Sequence, residues 1–596
     1  MTEETRTSPR VAAQPSYNEK PLRVTPDDLW TRANAGEVLP GVMTPLNWAY
    51  SEDDFDELFG ASYKRMGAHQ FNEGNFVQLL YGRVYFNFGL MASALIEFGA
   101  PTGDFISNVG GPGTEVEEGL FPDQGFRPLR MLKHLPGIVR QWFWIRGLQR
   151  RFKKQVAESE AKVLELRKLD LRSMSDGELA DFGESLEELL MPRLMLLMDA
   201  QGNVFAQMAF VRYMLKRWLG DEDLVNDLMT GISGVKTAEA NIELWRIARR
   251  ARTNERARAI IEASSPDELL PALEAEPAAA SLAAELHDYL RDYGHRAADE
   301  LEVRNPRWVE RPGPLMSAFR GYVLAGEDLD PEEFEKRQLA KRLEAEADVK
   351  RRLTGGLAKF LPWRWLVFRT TLREAQDYLP LRENPKFYLL KLSLYARYAT
   401  VELARRWQAA GYLETEDDIF FLRIEEFREF ARLTDEKRPA RMTELKPLIA
   451  ARRAEWESYN CVEPPMVLRT EELDKPLAEL APEAAAEPVA STLKGIAASK
   501  GVATGKARVI TDPSQGGLEA GEILVAPFTD PGWTPFFPLA AAIVMDLGGM
   551  LSHGAVVARE YGIPAVVNTR LATKQIKTGQ MITVDGLAGT VTIDGA

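Results

Sequence analysis

The stretch Ala542-Ile-Val-Met-Asp-Leu-Gly-Gly-Met-Leu-Ser-His553-Gly-Ala-Val-Val-Ala-Arg-Glu-Tyr-Gly562-Ile-Pro decides the fold of the last part of this chain. The apolar run 542–545 predicts a buried strand, and the pair Gly548-Gly549 predicts the turn that ends it. A short helix then follows, with Ser552 as its N-cap and Gly562 as the residue just beyond its last turn. His553 is therefore expected at the first position of that helix.

A histidine at a helix start has a particular chemistry. Free backbone amides and the positive end of the helix dipole attract an anion and disfavour a charged imidazolium. A neutral imidazole is the nucleophilic form of the ring, and a phosphoryl group bound to it would meet amide donors at once. The alternative is structural, with His553 only capping the helix or packing against its neighbours.

The residues around this stretch have the pattern of a small α/β domain over 491–596. Short β-rich runs alternate with glycines, and the Asp585-Gly586 turn joins the last two runs into a hairpin. Helices are expected near 533–540 and 553–561. Strands are predicted at 507–510, 522–526, 542–545, 564–567, 581–584 and 590–593.

This domain resembles the swivelling phosphohistidine domain of the PEP-utilising enzymes. The resemblance lies in Lys494-Gly-Ile-Ala-Ala-Ser-Lys-Gly-Val-Ala-Thr-Gly-Lys, in Thr529-Asp-Pro-Gly-Trp-Thr-Pro, and in the stretch from Gly548 to Val566. It implies that His553 takes a phosphoryl group from Mg-ATP on an ATP-grasp domain, holds it as a phosphohistidine intermediate and passes it to an acceptor. It also implies Gly548 and Gly549 as the phosphoryl loop, with Ser552 and Arg559 beside the phosphoryl group. A solvated position for Arg559 is the alternative.

The rest of the chain divides into three expected regions. Residues 1–25 read as a disordered tail. Residues 26–462 place apolar side chains at spacings of three and four, which is typical of a mainly helical domain. Residues 463–490 repeat proline among alanine and glutamate, which predicts a semi-rigid linker. The expected fold is multidomain, with a large mainly α-helical domain followed by the small α/β domain at 491–596.

The helical block resembles rifampicin phosphotransferase, which implies that it binds an apolar acceptor with a hydroxyl or enol group. The motifs appear in that enzyme's order: residues 30–46, Gly294-His295-Arg296, Arg382-Glu-Asn-Pro-Lys386 and residues 415–422. Arg382 and Lys386 are four residues apart, so they would share a helix face and could neutralise a transferring phosphoryl group. A solvated basic face is the alternative. His295 is expected either at the acceptor site, as a polar group or base, or as a structural histidine in the core.

Composition narrows the function classes. The chain has 74 basic and 88 acidic residues, a net charge of −14, which disfavours binding to the phosphate backbone of a nucleic acid. The single cysteine, Cys461, cannot form an intramolecular disulfide or a cysteine-rich metal site. No metal site, signal peptide or transmembrane segment is predicted, and a cytoplasmic protein is expected.

The resemblance also predicts what the chain needs from a partner. An ATP-grasp domain has no counterpart in the sequence, and Gly501-Val-Ala-Thr-Gly-Lys506 falls one residue short of a phosphate loop. We therefore expect a phosphotransferase, a kinase-like enzyme whose His553 is charged by a separate ATP-grasp subunit. Two alternatives stay open. One is a non-catalytic ligand-binding protein that keeps the small domain as a scaffold. The other is direct use of phosphoenolpyruvate, which is weaker because the barrel that binds it is absent.

The segment Arg140-Gln-Trp-Phe-Trp-Ile-Arg-Gly-Leu-Gln-Arg-Arg-Phe-Lys-Lys154 is unusual in an acidic chain. Its aromatic and basic residues could contact a partner protein or a membrane surface. An amphipathic helix that extends its basic groups into solvent is the simpler alternative.

Overall fold

The chain forms two compact units in the computed structural model. The first comprises Met1–Met198, Leu301–Asn305 and Tyr388–Ala486, and the second Asp199–Glu300, Pro306–Phe387 and Glu487–Ala596. The structure describes all residues except 1–5, 8–11, 21, 25–27, 33–35, 37–38, 51, 53, 69–75, 100–126, 223, 326–329, 357–361, 481–490, 514–516, 550–551 and 595–596.

Most of the described chain before residue 461 is helical, as the apolar spacing predicts. Proline occupies the first helical position several times, where its missing amide proton costs nothing. The helices up to residue 293 are α1 Pro45–Ala49, α2 Asp54–Met66, α3 Phe88–Phe98, α4 Pro128–Arg146, α5 Leu148–Leu166, α6 Asp176–Leu219, α7 Leu224–Leu228, α8 Lys236–Arg252, α9 Glu255–Ala263, α10 Pro266–Ala275 and α11 Ala280–Tyr293. The later helices are α12 Gly313–Leu324, α13 Pro331–Thr354, α14 Pro362–Tyr378, α15 Pro380–Ala409, α16 Ile424–Arg432, α17 Arg438–Asn460, α18 Leu477–Leu480, α19 His553–Tyr561 and α20 Ala572–Gln575.

The strands form three sheets. A two-stranded ribbon and a four-stranded antiparallel sheet in the order β4-β5-β3-β6 belong to the first unit, and an eight-stranded sheet belongs to the second. The strands are β1 Arg6–Thr7, β2 Arg23–Val24, β3 Leu29–Thr31, β4 Val77–Leu80, β5 Arg83–Asn87, β6 Val467–Arg469, β7 Thr492–Lys494, β8 Ile496–Ser499, β9 Val502–Val509, β10 Ile523–Ala526, β11 Ala542–Met545, β12 Ala565–Val567, β13 Met581–Asp585 and β14 Thr590–Ile593.

Two segments of the first unit differ from the sequence prediction. Within the predicted tail, Ala13 and Tyr17 are fully buried, and the Tyr17 hydroxyl donates to the Met43 carbonyl at 3.0 Å. Within the predicted linker, β6 pairs with β3, and the Leu473 carbonyl accepts from the Ala13 amide at 2.8 Å. A few apolar side chains in each segment complete one buried cluster. Their spacing follows neither a helix nor a strand period, so the sequence pattern does not predict their burial. Residues 481–490 of the predicted linker lie outside the described residues.

The second unit contains the small α/β domain, and each predicted strand has a counterpart there. The strands β7 and β8 were not predicted, and β9 begins at Val502 instead of residue 507. The helix predicted near 533–540 is a 3₁₀ helix over Pro531–Leu539, which contains Pro535 and Pro538. Its sheet has the order β7-β14-β13-β9-β10-β11-β12-β8, with β9 to β12 parallel. The strands β10 and β11 are buried along their whole length, as expected for parallel strands covered on both faces. One hydrophobic core joins this domain to the helices α8 to α12. We call this packing of the small domain on the helices the docked arrangement.

The long helix α6 is apolar enough, by length and composition, to cross a membrane. In its most apolar window 41% of the residues are buried inside the protein. A core helix of a soluble protein meets the same criterion, so this helix does not decide between the two.

Candidate active site

Local sequence rules place His553 where they predict it. The Ser552 hydroxyl accepts from the Ala555 amide at 3.2 Å, and α19 begins at His553. The helix ends at Gly562, whose φ of 66° is left-handed and suits glycine. Upstream, Gly548 has a φ of 132°, so the turn after β11 also depends on glycine. The predicted N-cap and helix end are therefore confirmed.

The two ring nitrogens of His553 face different groups. Its Nε2 lies 2.9 Å from the Thr534 hydroxyl, and its Nδ1 lies 3.5 Å from Oε2 of Glu383. The ring also lies beside Phe537, and the residue is only 7% exposed. Both ring nitrogens of His553 thus have a neighbouring polar group in the docked arrangement.

Glu383, in the first turn of α15, is held as an anion. Burial alone would raise its pKa, but the hydrogen bond and charge of His553 and the charges of Arg382 and Lys386 outweigh burial and bring the pKa well below its usual range. An ionised carboxylate can only accept hydrogen bonds. Nδ1 of His553 therefore keeps its proton when the ring becomes neutral, and the lone pair is then on Nε2.

Arg382 and Lys386 lie on the same helix, α15, but their side chains contact different carboxylates. Arg382 is 8% exposed, its Nε lies 3.6 Å from Oε1 of Glu383, and its Nη1 has no hydrogen-bond partner within the described part of the chain. The Lys386 ammonium lies 3.0 Å from Oε1 of Glu300, and Oε2 of the same carboxylate accepts from Nε of Arg296 at 2.8 Å. Of these two cations, Arg382 is the one with a buried donor that has no hydrogen-bond partner in the described structure.

Burial and two neighbouring cations have opposite effects on the pKa of Glu300. Burial tends to raise its pKa, and the charges of Arg296 and Lys386 overcome that effect and lower it. Asp530 shows the opposite balance, because burial and the charge of Glu300 raise its pKa to about 6. Its carboxylate accepts from the Gly532 amide at 2.9 Å and from the Asp299 amide. Asp530 thereby ties the small domain to the helical segment.

A cavity of about 50 Å³ lies beside His553. That volume has room for about three or four water molecules, so a bulky acceptor does not fit while the domain is docked. Arg382, Glu383 and Thr534 supply polar groups to the wall, and Thr237, Glu335, Glu560 and Tyr561 complete its polar part. Most of the remaining lining is apolar: Ile232, Val235, Ala238, Ile242, Pro331, Leu379, Val556 and Val557.

The structure places Arg559 away from this cavity. Its guanidinium donates to the Asn226 side chain at 2.9 Å and lines a second cavity of about 80 Å³. Burial and the charge of Arg382 lower the pKa of Arg559 to about 10. The backbone carbonyl of Arg559 accepts from the Thr230 hydroxyl at 3.1 Å. In the docked arrangement Arg559 therefore contacts α7 and the loop that follows it, and the structure does not bring it beside His553.

His295 is also outside the cavity lining. It is 2% exposed, and its ring meets the ring of Phe387 edge-on at 4.5 Å. That position corresponds to the structural alternative in the sequence analysis.

Sequence reasoning missed Glu383, Thr534 and Asp530 as individual site residues. All three lie inside the motifs quoted for the resemblance, so the motifs were the available signal. Their contacts with His553 or with the helical segment join positions far apart in the chain, which no local pattern reports.

Two family models match segments that contain the residues around His553. The model of the rifampicin phosphotransferase fourth domain matches residues 197–383, and that of the PEP-utilising enzyme mobile domain matches residues 518–589. A rifampicin phosphotransferase from a Streptomyces species is 32% identical over 390 residues, which are 63% of this chain and 42% of that protein. The prodigiosin synthesizing transferase PigC of Serratia marcescens is 27% identical over 589 residues, 95% of this chain and 63% of PigC. The site lies where the two matched segments meet.

Proposed function

We propose that this chain, a relative of the rifampicin phosphotransferases with the mobile domain of PEP-utilising enzymes, is a phosphotransferase component that transfers a phosphoryl group on Nε2 of His553. The observation that supports this most strongly is the ionised Glu383 beside Nδ1. It holds the proton on the nitrogen that does not react and repels a phosphoryl anion from that side. The opposite nitrogen is left as the nucleophile.

The surroundings of Nε2 suit a bound phosphoryl group. His553 is the first residue of α19, where free amides and the helix dipole stabilise negative charge. The unpartnered Nη1 of Arg382 supplies a buried cation at the cavity wall. A guanidinium at this place would stabilise charge on the transferring group. Lys386 would contribute indirectly, because its positive charge lowers the pKa of Glu300 and of Glu383 and so helps to keep both carboxylates ionised.

The transfer step itself requires little covalent chemistry from the protein. The bond between Nε2 and phosphorus breaks while a bond from the acceptor oxygen to phosphorus forms. The acceptor hydroxyl or enol loses its proton to solvent or a nearby carboxylate, and His553 regains its lone pair. The protein contributes positioning and electrostatic stabilisation, which dominate catalysis of phosphoryl transfer.

The acceptor is proposed to be a small apolar molecule with a hydroxyl or enol group. The cavity wall beside His553 is mainly aliphatic, and the Thr534 hydroxyl lies beside Nε2. Because the docked cavity holds only a few waters, the acceptor enters before the small domain docks, or the wall moves to admit it. Closure over the acceptor would then exclude water from the phosphoryl group.

The donor is proposed to be Mg-ATP on a separate ATP-grasp subunit. The chain spans 42% of the length of the Streptomyces rifampicin phosphotransferase, so more than half of that relative lies outside the match. In the docked arrangement His553 is covered, so it would receive its phosphoryl group in a different arrangement of the small domain.

A coupling reaction is the second candidate function. PigC, whose name describes a transferase that synthesizes prodigiosin, matches 95% of this chain, far more than the rifampicin phosphotransferase does. A phosphate ester of an enol or alcohol is an activated group, so a second substrate could displace phosphate from it. Release of inorganic phosphate that depends on a second substrate would identify this reaction, and a stable phosphate ester would identify simple transfer.

The test uses the full chain, candidate ATP-grasp proteins and ATP labelled in its phosphoryl groups. We expect an acid-labile label on the wild type and none on His553→Ala. The matched control is His287→Ala, which removes an exposed histidine of α11 and should leave the label unchanged. Phosphorus NMR should assign the label to Nε2. A label that survives in His553→Ala refutes the proposal, and ligand binding without any label favours the scaffold alternative.

A further inference from the structure

An exposed apolar stripe runs along α4 in the first unit. Leu129 is 82% exposed, Leu132 60% and Phe143 65%. Monomeric soluble proteins rarely expose so many large apolar side chains side by side. The first four members follow one another at spacings of three and four, and the last two lie three and four residues after Val139, so all six share one helix face: Leu129, Leu132, Leu135, Val139, Trp142 and Phe143.

The opposite face of α4 fixes the direction of the stripe. Gly137 lies against the backbone of Met66 in α2, where a side chain would collide. The Arg65 guanidinium donates to the Gln141 side chain at 2.8 Å, and His134 is buried on the same side. The helix is therefore anchored by one face while the stripe faces solvent.

The charge of this region opposes that of the chain. Between residues 127 and 157 the sequence has nine basic residues and no acidic ones, although the whole chain has a net charge of −14. All but one of the nine are exposed. The nine are Arg127, Arg130, Lys133, Arg140, Arg146, Arg150, Arg151, Lys153 and Lys154.

Aromatic residues end the stripe beside these cations. Trp142 and Phe143 meet edge-on at 4.9 Å, and the Arg146 guanidinium lies 3.9 Å above the Trp142 ring. Aromatic rings of this kind prefer the boundary between lipid headgroups and acyl chains. Lys133 flanks the stripe, where its ammonium could reach headgroup phosphates while the leucines enter the apolar layer. Arg140 also flanks the stripe, and its Nε donates to the Arg65 carbonyl at 3.1 Å.

We propose that α4 is an interfacial helix by which the protein binds an anionic lipid surface. Apolar burial would hold the stripe in the headgroup boundary, and the flanking cations would select acidic lipids. Aliphatic side chains dominate the stripe, which suits hydrocarbon better than stacking on nucleic-acid bases. The excess of cations without any acidic residue matches a uniformly negative surface rather than the mixed charges of a protein partner. This site is independent of His553, and it would bring the enzyme to the phase in which apolar acceptors dissolve.

The test measures cosedimentation of the full chain with vesicles. One set contains phosphatidylcholine alone, and the other two parts phosphatidylcholine to one part phosphatidylglycerol. We expect binding to the anionic vesicles only, weakened by salt. The variant L132S/F143S changes two of the most exposed residues and should bind at least about tenfold more weakly, because each large apolar side chain contributes strongly on burial. Lys133→Gln should bind about fivefold more weakly.

The matched control is L339S/L343S, which changes two exposed leucines of α13 in the second unit. It should bind vesicles like the wild type. Equal melting curves will show that every variant is folded. Equal binding of wild type and L132S/F143S refutes the proposal. So does a wild-type dimer that L132S/F143S dissociates, or a stripe that binds only an added ATP-grasp protein, since either result assigns the stripe to protein contact.

Discussion

Replacing Glu560 with glutamine should flatten the pH dependence of docking. Glu560 lies on α19, and its Oε2 accepts from the Gly231 amide in the loop before α8 at 2.8 Å. Burial raises its pKa from 4.5 to about 7, although backbone amides and the charges of Arg559 and Arg342 oppose that rise. Any state in which the small domain separates returns this carboxyl to water and to its ordinary pKa. Protons therefore bind more tightly to the docked arrangement.

The sign and size of the effect follow from linkage. Since the pKa is raised in the docked arrangement, the stabilisation is complete below the ordinary pKa of 4.5 and is lost as the pH rises through about 7. Between about pH 5 and about pH 8 the contribution of Glu560 should fall by about 2 to 3 kcal/mol. Asp530, whose pKa is raised to about 6, changes docking in the same direction. The difference between wild type and Glu560→Gln isolates the first group from the second.

Hydrogen exchange at the Gly231 amide measures this directly, because that amide is released when the contact opens. The opening free energy, corrected for the intrinsic effect of pH on exchange, should fall with rising pH in the wild type. It should fall by about 2 kcal/mol less in Glu560→Gln. The control is Glu335→Gln, which removes an exposed carboxylate from the rim of the same cavity. If wild type and Glu560→Gln show the same slope, Glu560 is not the group that titrates.

Two further substitutions test the site and its supporting helix. Arg382→Lys should leave phosphorylation of His553 intact but slow transfer to the acceptor by about tenfold or more, because an ammonium lacks the planar guanidinium donors. A single-turnover chase of the phosphorylated chain measures the rate of transfer. An unchanged rate would contradict the proposed role of Arg382. Gly554→Ala should destabilise the protein by about 1 to 3 kcal/mol, because its Cβ would collide with the hydroxyl of the buried Thr529 and would also meet Cε of Met545 at 2.7 Å. Gly202→Ala, where a Cβ has open space in the described structure, should instead stabilise by about 1 kcal/mol in the same unfolding assay.

The sequence predicted the small domain well because its elements are set by local rules. Glycine at 548 and 562, the serine N-cap and the apolar strands each act within a few residues, and the structure confirms the predicted strands and α19. The prediction for Arg559 was less successful for a reason that helix geometry explains. Residue 559 lies six positions after His553, about 240° around the helix, whereas Val556, Val557 and Glu560 return to the face of His553 and line its cavity.

Contacts between distant residues limited the rest of the prediction. Glu383 and His553 are separated by the end of the helical segment, the predicted linker and the first half of the small domain, so their pairing depends on how α15 packs against α19. The first residues and the predicted linker depend on tertiary packing in the same way, since Ala13 and Leu473 pair although they are at opposite ends of the first unit. The prediction for these two segments was based on their proline and polar residues. It overlooked the few apolar side chains that are buried in the first unit.

Under the proposed function, the burial of His553 requires the small domain to move. A ring that is 7% exposed and held by Thr534 and Glu383 cannot meet a nucleotide on another protein, so the proposed charging and transfer steps need different arrangements. Separation exposes apolar surface of the shared core, which is costly. It also returns Glu560 and Asp530 to water, where their ionised forms are better stabilised than in the docked arrangement. These two carboxyls therefore offset part of the apolar cost above neutral pH, and they favour closure over the acceptor when protons are abundant.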